Sequence, residues 1–406
     1  MLHRLRHHPT LVTTTPARPN RDRPTWICYL QNGFFAWFIY AFGATQALLR
    51  DEQGTTRSIA ALHGTFLALG SLVGSLLAGR AILHWGRGLV MRIGGIGAII
   101  GILVYTTPHG AFPVTLAGAF IAAMSGSFFI SALNAFVMDH QGDAGPSSLL
   151  EANAFAAFLC ILAPLAVGVT TGTVFGWRTG VWVSVVALII IEVLRGRNLS
   201  AFRTDASELV HELHDKMPKE VYWSLGLFMC FVATEFSLMF WSADLLRERC
   251  GFSAGAAASS LGAITGGMLI GRLVGARLAE RISADRLLRA AVALALFAFV
   301  LAWAFIWWPA VLLGLALGGI GLSVQAPLGI ARVMQVSNGL TDRASALALV
   351  AASIAVATAP IALGVLADHI GVHLAFLMLP AFLVIALAIL LLKPVATPEK
   401  YELQSV

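Results

Sequence analysis

Long apolar stretches separated by short polar breaks run through the whole chain. A hydrocarbon core about 30 Å thick needs roughly 20 apolar residues per helix, and twelve stretches reach about that length. The breaks between them carry Gly, Pro or charge. The pattern predicts an all-α membrane protein with twelve transmembrane helices, at 26–48, 57–83, 88–107, 112–138, 150–173, 177–195, 220–246, 254–280, 287–307, 309–335, 343–367 and 371–392.

The second half of this pattern repeats the first. The stretch 70–92, GSLVGSLLAGRAILHWGRGLVMR, returns in weakened form 197 residues later, at 267–289. Pro164 and its neighbours return around Pro360, at an offset of 196. A near-constant offset of half the chain predicts two parallel six-helix repeats, although apolar sequence rich in Gly and Ala also matches itself by chance.

Composition agrees with a chain that mostly faces lipid. Of its 406 residues, 58% are hydrophobic and 12% are charged, whereas soluble proteins carry about 25% charged residues. The net charge of +6 comes from basic residues scattered among short loops, without a basic face or a motif for nucleic acid. The four cysteines lie far apart. We therefore expect no cofactor, no metal site and no nucleic-acid partner.

The Lys and Arg residues predict the orientation. With the N-terminus in the cytoplasm, 22 of the 27 basic residues fall in cytoplasmic segments, as the positive-inside rule requires. Both termini are then cytoplasmic. The predicted parts are a disordered basic tail, a six-helix bundle, a linker, a second six-helix bundle and a C-terminal tail: 1–25, 26–195, 196–219, 220–393 and 394–406.

The turn after the second predicted helix combines small residues with positive charge. Gly79, His84, Gly86 and Arg87 lie in it, and small residues allow helices to pack closely. Two interpretations stay open. The turn is either a tight connection held at the headgroups by its basic residues, or part of a conformational gate.

Twelve helices, two parallel halves, a long central loop and this turn together resemble the major facilitator superfamily, over about 26–393. The superfamily's turn reads Gly, three residues, Asp, Arg, any residue, Gly, then Arg or Lys, and here Leu83 stands at the Asp. In the second half the acidic–basic pair survives as Glu280-Arg281. The resemblance implies transport by alternating access, with Arg87, Glu280 and Arg281 in an inner gate.

Within the superfamily, the segment 233–281 is similar to the fucose–proton symporter type. Those symporters carry carboxylates on helices one and four, whereas Asn134 stands near the helix-four position here. This departure weakens the inference to sugar symport. The residues that carry the similarity are Glu235, Trp241, Gly267, Gly271 and Arg272.

Glu235 is the carboxylate predicted nearest to the middle of the membrane, within FVATEFSLMF of the seventh helix. An acid at that depth is costly unless it faces a partner or a wet cavity. We predict that Glu235 couples transport to protons, because alternating access would solvate it differently in its two conformations. The alternative is a structural ion pair with Arg272 or Arg332, which we also place among the gate and conformational residues.

Polar side chains on the first, fourth, seventh and tenth predicted helices form the candidate substrate cavity. The resemblance implies that these helices line it, and amides there would bind hydroxyls or carbonyls of a solute. An indole would stack on a flat solute. Hydrogen bonding between helices is the alternative for each amide. The candidates are Gln31, Asn32, Asn134, Gln325 and Trp241.

Pro164 and Pro360 lie in the fifth and eleventh predicted helices. A proline in a membrane helix frees a carbonyl and permits a kink. Both sites resemble a weakened form of the Gly-Pro motif found on helix five of superfamily antiporters, which favours export. A kink without directional meaning is the alternative.

The sequence therefore predicts a secondary transporter for a small organic solute, monomeric, in the cytoplasmic membrane of a bacterium. Proton-coupled export of a drug-like compound or metabolite is the first prediction. Proton-coupled uptake of a sugar or other polar solute is the second, and a membrane sensor or lipid flippase is the alternative of another class. We expect no enzyme, because neither HExxH nor Gly-x-Ser-x-Gly occurs.

Overall fold

The computed structural model describes residues 19–197, 199, 202, 217–279, 281–337 and 341–395, and these form helices with no strand among them. A short 3-10 turn, Gly142–Ala144, joins the fourth and fifth α-helices. The α-helices are α1 (Arg23–Gln53), α2 (Arg57–Trp85), α3 (Arg87–Tyr105), α4 (Phe112–Gln141), α5 (Gly145–Thr170), α6 (Arg178–Arg195), α7 (Lys219–Cys250), α8 (Ala254–Ala279), α9 (Ala284–Ala304), α10 (Trp308–Leu322), α11 (Gln325–Gln335), α12 (Thr341–Ile370), α13 (Val372–Ala375) and α14 (Met378–Leu392).

Within these described residues, ten helical segments are long and apolar enough to cross a membrane, with α10–α11 and α13–α14 counted as one segment each. Ten of the twelve predicted spans therefore have a matching segment. The two that fall short are α1 and α6. The 18 residues of α6 include Arg178, Glu192 and Arg195, and α1 carries Gln31 and Asn32 but buries most of its side chains against other helices.

The predicted repeat is visible in the packing of the two halves, α1–α6 and α7–α14. In the first half α4 packs on α2 and α3, and in the second half α10 packs on α8 and α9 in the same way. A Cβ built on Gly70 would meet the backbone of Phe120, and one built on Gly267 would meet that of Ala316. Glycine at equivalent positions thus brings equivalent helices into backbone contact.

The halves pack on each other mainly through α2 with α12 and α5 with α8, at the end of the bundle where α2 and α8 begin. We name this the sealed end. On α2, Thr65 and Ala68 contact α12, and helical spacing places Leu76 and Leu83 on the same face. These two leucines are 66% and 57% exposed. The halves therefore part towards the other end, where α1 begins and α14 ends, which we name the open end.

Candidate transport site

A cleft with one carboxylate lies where the two halves meet, between α1 and α7. Glu235 supplies the carboxylate. A second, smaller cleft reaches α5 and α8 and contains Arg272. Tyr40 lines both clefts, so they adjoin at its side chain. We name them together the seam cavity.

Glu235 lies midway along α7 and is half-buried. Among the described residues, the charged group that acts on its carboxylate is Arg272, and no hydrogen bond stabilises that carboxylate. Tyr40 interacts with both of these charges. The three side chains come from α7, α8 and α1, and therefore from both halves. Two residues predicted from the sequence, Glu235 and Arg272, are thus brought together.

Arg332, the other arginine considered as a partner of Glu235, has different partners. Its guanidinium binds Asp285 of α9 and the backbone carbonyl of Lys393. Asp285 also accepts the backbone N–H of Val395 at 3.0 Å. Arg332 therefore fastens the chain after α14 to α9 at the open end. Asp285 has no stronger sequence signal than its place in the first turn of a helix.

Aromatic side chains close the seam cavity towards the sealed end. The ring of Phe42 lies 5.6 Å from that of Phe240, across the two halves, and the ring of Phe236 lies 6.0 Å from Phe240 edge to face. Gly43 permits this approach, because a Cβ there would lie 3.3 Å from the carbonyl oxygen of Met239. Apolar contact therefore separates the cavity from the sealed end.

Two residues predicted in the cavity bind other groups in this conformation, so their role in the cavity stays a prediction. Gln31 is buried inside the first half, where it donates to the carbonyl of Met91 at 3.2 Å and accepts from Arg195. Trp241 is 4% exposed, and its indole N–H donates to the carbonyl of Pro360 at 3.0 Å. The polar groups of both residues hold helices together within one half.

The three remaining amides lie in different environments. Asn32 is half-buried on α1, and Asn134 is exposed on α4. Gln325 is 1% exposed, and neither of its amide atoms has a hydrogen-bond partner among the described residues. It follows the break between α10 and α11, where Pro327 has no N–H for the carbonyl of Ser323. Of the amides on α4 and α11, Asn134 lies at a surface in this conformation and Gln325 does not.

The turn after α2 has the local geometry expected of its glycines. Gly86 ends α2 and precedes α3 with φ +77°, a conformation that costs glycine little. Arg87 binds Asp139 at the end of α4, so α4 supplies a carboxylate that the turn lacks. Gly79 has open space beside it, and His84 is exposed.

At the equivalent turn after α8, Arg281 is exposed, whereas Glu280 lies outside the described residues. The halves are apart at this end of the bundle. The role of Arg87, Glu280 and Arg281 in an inner gate therefore stays a prediction for the opposite conformation.

Opposite charges join the two halves at the sealed end, and nothing in the sequence pattern revealed them. Each partner taken alone is an ordinary charge near a helix end, and the partners are nearly 200 residues apart. The sequence does not indicate which helix ends meet in the folded protein. The ion pairs that cross between the halves are Arg50–Asp244, Arg57–Asp244, Arg57–Glu248 and Arg247–Asp51.

A polar contact fastens α2 to α12 at the same end. The backbone N–H groups of Arg57 and Ser58, in the first turn of α2, donate to the carboxylate of Asp368 at 3.0 and 2.9 Å. The positive end of the helix dipole favours an anion there. Further along, Thr65 donates its hydroxyl to the carbonyl of Ala357 at 2.7 Å. We name these contacts the polar seam.

The related contact between α5 and α8 uses glycine. A Cβ on Gly168 would lie 2.5 Å from the carbonyl oxygen of Gly255, and a Cβ on Gly255 would lie 2.8 Å from that of Gly168. A Cβ on Gly262 would lie 3.2 Å from Leu165. The two backbones therefore touch here, and we name this contact the glycine seam.

The two predicted kink residues each lie in one seam. Pro164 is inside α5 and Pro360 is inside α12. Pro360 leaves the carbonyl of Val356 without its helical donor, and Thr65 of the other half binds the adjacent carbonyl, that of Ala357. The kink in α12 is thus next to a hydrogen bond between the halves.

Solved transporter structures share this architecture at low sequence identity. A bacterial homologue of the human lysosomal transporter Spinster, inward-facing and unoccupied, is 14% identical with a TM-score of 0.73, over 92% of this chain and 97% of that one. The nucleoside transporter NupG is 10% identical (TM-score 0.73; 91% and 99% covered), and the D-xylose–proton symporter is 11% identical (0.72; 91% and 96%). These likenesses show the fold alone.

Comparison of sequences gives the family. No curated protein matches the chain significantly. The family model of the Major Facilitator Superfamily, however, matches residues 25–306 and 223–405, and so spans both halves. The chain is therefore a multi-pass membrane protein and a transporter rather than an enzyme, and it belongs to the Major Facilitator Superfamily.

Proposed function

We propose that this chain is a secondary active transporter that moves a small organic solute by alternating access and couples that movement to protons at Glu235. The observation that supports the coupling role is the position of Glu235, a half-buried acid in the seam cavity beside Arg272. Rocking of one half against the other changes the surroundings of such an acid. Its proton affinity then differs between the two conformations.

The orientation we propose places the open end in the cytoplasm of a bacterium. It rests on the distribution of basic residues, 22 of 27 of which fall on that side. On this orientation the conformation described above is inward-open, and the ion pairs of the sealed end form an outer gate. Arg87, Glu280 and Arg281 then belong to an inner gate that forms when the outer one opens.

Export of a drug-like compound or metabolite is the first direction we propose, supported by the resemblance of the Pro164 and Pro360 sites to the antiporter motif. Uptake of a polar solute with protons is the second candidate. One observation favours it. Arg272 lies beside Glu235, and protonation of Glu235 would leave the positive charge of Arg272 uncompensated. A polar solute could then bind to Arg272 while the proton is bound to Glu235. The direction of proton movement separates the two, since an antiporter moves protons against the solute and a symporter moves them with it.

Glu235→Gln tests the coupling role. Purified protein is reconstituted in liposomes that contain a pH-sensitive dye, and D-xylose, uridine, benzenesulfonate and ethidium are supplied in turn. We expect the natural protein to accumulate at least one solute under an imposed pH gradient. Glu235→Gln should lose this accumulation and retain exchange, because the amide keeps the shape of the side chain but does not titrate.

Glu220→Gln is the matched control, because Glu220 is an exposed acid on the same helix. It should accumulate solute normally. Accumulation by Glu235→Gln with the natural pH dependence would contradict the coupling role and leave Glu235 with a structural one.

A further inference from the structure

Arg272 differs from the arginines of the sealed end in its partners. Arg50, Arg57 and Arg247 each bind a carboxylate directly. Arg272 lines the seam cavity, where Glu235 acts on it electrostatically without forming an ion pair within 4.0 Å in the described part of the chain. A guanidinium presents five N–H donors in a planar fork that matches a carboxylate. The cavity therefore contains a cation able to bind an anionic ligand.

The walls of the cavity limit what the rest of such a ligand is. Near Glu235 they are formed by Ile39, Phe236, Met239 and Phe240, which are apolar. Only a few polar groups, such as the hydroxyls of Tyr40 and Thr265 beside Arg272, complete the lining. Against these apolar walls a polyhydroxylated solute would leave several of its hydroxyls without partners, which costs free energy. A flat apolar body fits this lining better than a sugar.

We propose that the seam cavity binds an organic anion, a carboxylate on a flat apolar body, through Arg272, and that a proton on Glu235 accompanies it. This inference rests on the proposed coupling role of Glu235, takes symport rather than antiport as the mode of coupling, and names the class of solute. When Glu235 is ionised its charge offsets that of Arg272, and an incoming anion meets a like charge. When Glu235 is protonated, Arg272 is left uncompensated and attracts the anion.

Linkage makes the two binding events cooperative: a proton raises the affinity for the anion by the same factor as the anion raises the affinity for the proton. One proton forms an O–H bond on the carboxylate of Glu235, one anion binds the guanidinium, and both leave together. The pair is electroneutral and moves in one direction. A metabolic acid then leaves the cell with its proton, or an external acid enters with one, according to the two gradients.

Three ligands of matched shape test the charge that the site selects. The full chain in lipid nanodiscs is titrated by calorimetry with naphthoate, naphthamide and naphthylmethylammonium, at mildly acidic and at mildly alkaline pH. We expect naphthoate to bind most tightly, and more tightly at acidic pH. Glu235→Gln should bind naphthoate at both pH values with similar affinity, because the amide resembles the protonated acid.

Arg272→Gln should weaken naphthoate binding about tenfold or more, about 1.4 kcal/mol, since it removes the charge and the paired N–H donors that the carboxylate binds. The naphthoate affinity of Arg272→Lys should lie between those of the natural protein and Arg272→Gln, because an ammonium keeps the charge without the planar fork of N–H donors. Arg277→Gln, an exposed arginine on the same helix, is the matched control and should bind normally. Elution volume and unfolding temperature equal to those of the natural protein establish that each variant is folded.

Three results would overturn the anion site: Arg272→Gln binding naphthoate as the natural protein does, naphthamide or the ammonium binding as tightly as naphthoate, or no naphthoate binding at acidic pH. If Arg272→Gln does not fold, unchanged affinity in Arg272→Lys has the same meaning. The coupling role fails separately. If Glu235→Gln keeps proton-driven accumulation while Arg272→Gln loses anion binding, the anion site stands and Glu235 is not the coupling residue.

Discussion

The polar seam and the glycine seam occupy equivalent places in the two halves and join them by different means. Asp368 on α12 corresponds to Gly172, two residues past the end of α5, at the repeat offset of 196. The carboxylate of Asp368 receives two backbone N–H groups from α2, whereas a Cβ on Gly172 would meet no atom within 4 Å. One seam is therefore held by directional hydrogen bonds, and the other by close contact of backbones around Gly168 and Gly255.

This difference predicts different behaviour when the halves rock. Close packing loses much of its attraction when surfaces separate by a fraction of an ångström. Hydrogen bonds at a helix end exchange for water when they break, at a small net cost. We therefore expect the glycine seam to act as the pivot and the polar seam as the releasable latch. Three changes test that division of roles, each measured by the distance between spin labels on exposed residues of the two halves at the sealed end.

Gly168→Leu should have the largest effect. Its side chain would displace the backbone at Gly255, and overpacking of this kind costs about 1–3 kcal/mol. The population of the sealed conformation should fall about tenfold or more, seen as longer distances between the labels. Gly172→Leu is the matched control, because that position has open space. Unchanged distances in Gly168→Leu would mean that the glycine seam yields easily and is not a pivot.

Asp368→Asn should have an intermediate effect on the polar seam. It removes the charge that interacts with the first turn of α2, worth about 1 kcal/mol, and should lower the sealed population about fivefold. Gly172→Asp makes the reverse change, because it places a carboxylate at the equivalent position near the start of α8. That variant should shift the labels towards the sealed distance. If neither Asp368→Asn nor Gly172→Asp changes the distances between the labels, the polar seam is not a latch.

Thr65→Val should have the smallest effect. It removes the hydroxyl that binds the carbonyl of Ala357, for a loss of about 1 kcal/mol or less, and the labels should shift slightly towards longer distances. Thr358→Val is the control, because the hydroxyl of Thr358 bonds within its own helix, to Ile354. Equal shifts in the two variants would show that the bond between the halves adds nothing to the latch.

The sequence by itself determined the features that depend on neighbouring residues. Hydrophobic length set the apolar spans, because each span must match the same bilayer thickness. Spacing also revealed the repeat, and Gly70 and Gly267 do pack on equivalent backbones. The turn at Gly86 was equally readable, since its positive φ suits glycine. These are local requirements, and a local pattern is sufficient to state them.

Only the tertiary structure decided which distant side chains meet. In sequence, Arg272 and Arg332 were equal candidates for Glu235, yet Arg332 binds Asp285 and only Arg272 acts on the acid in the seam cavity. Trp241 likewise proved to be bonded within its own half. The pairing of such groups depends on how each helix is rotated and tilted against its neighbours. Hydropathy records whether a helix is apolar enough to lie in a membrane and does not record that rotation, so the partners emerge only when the helices are packed.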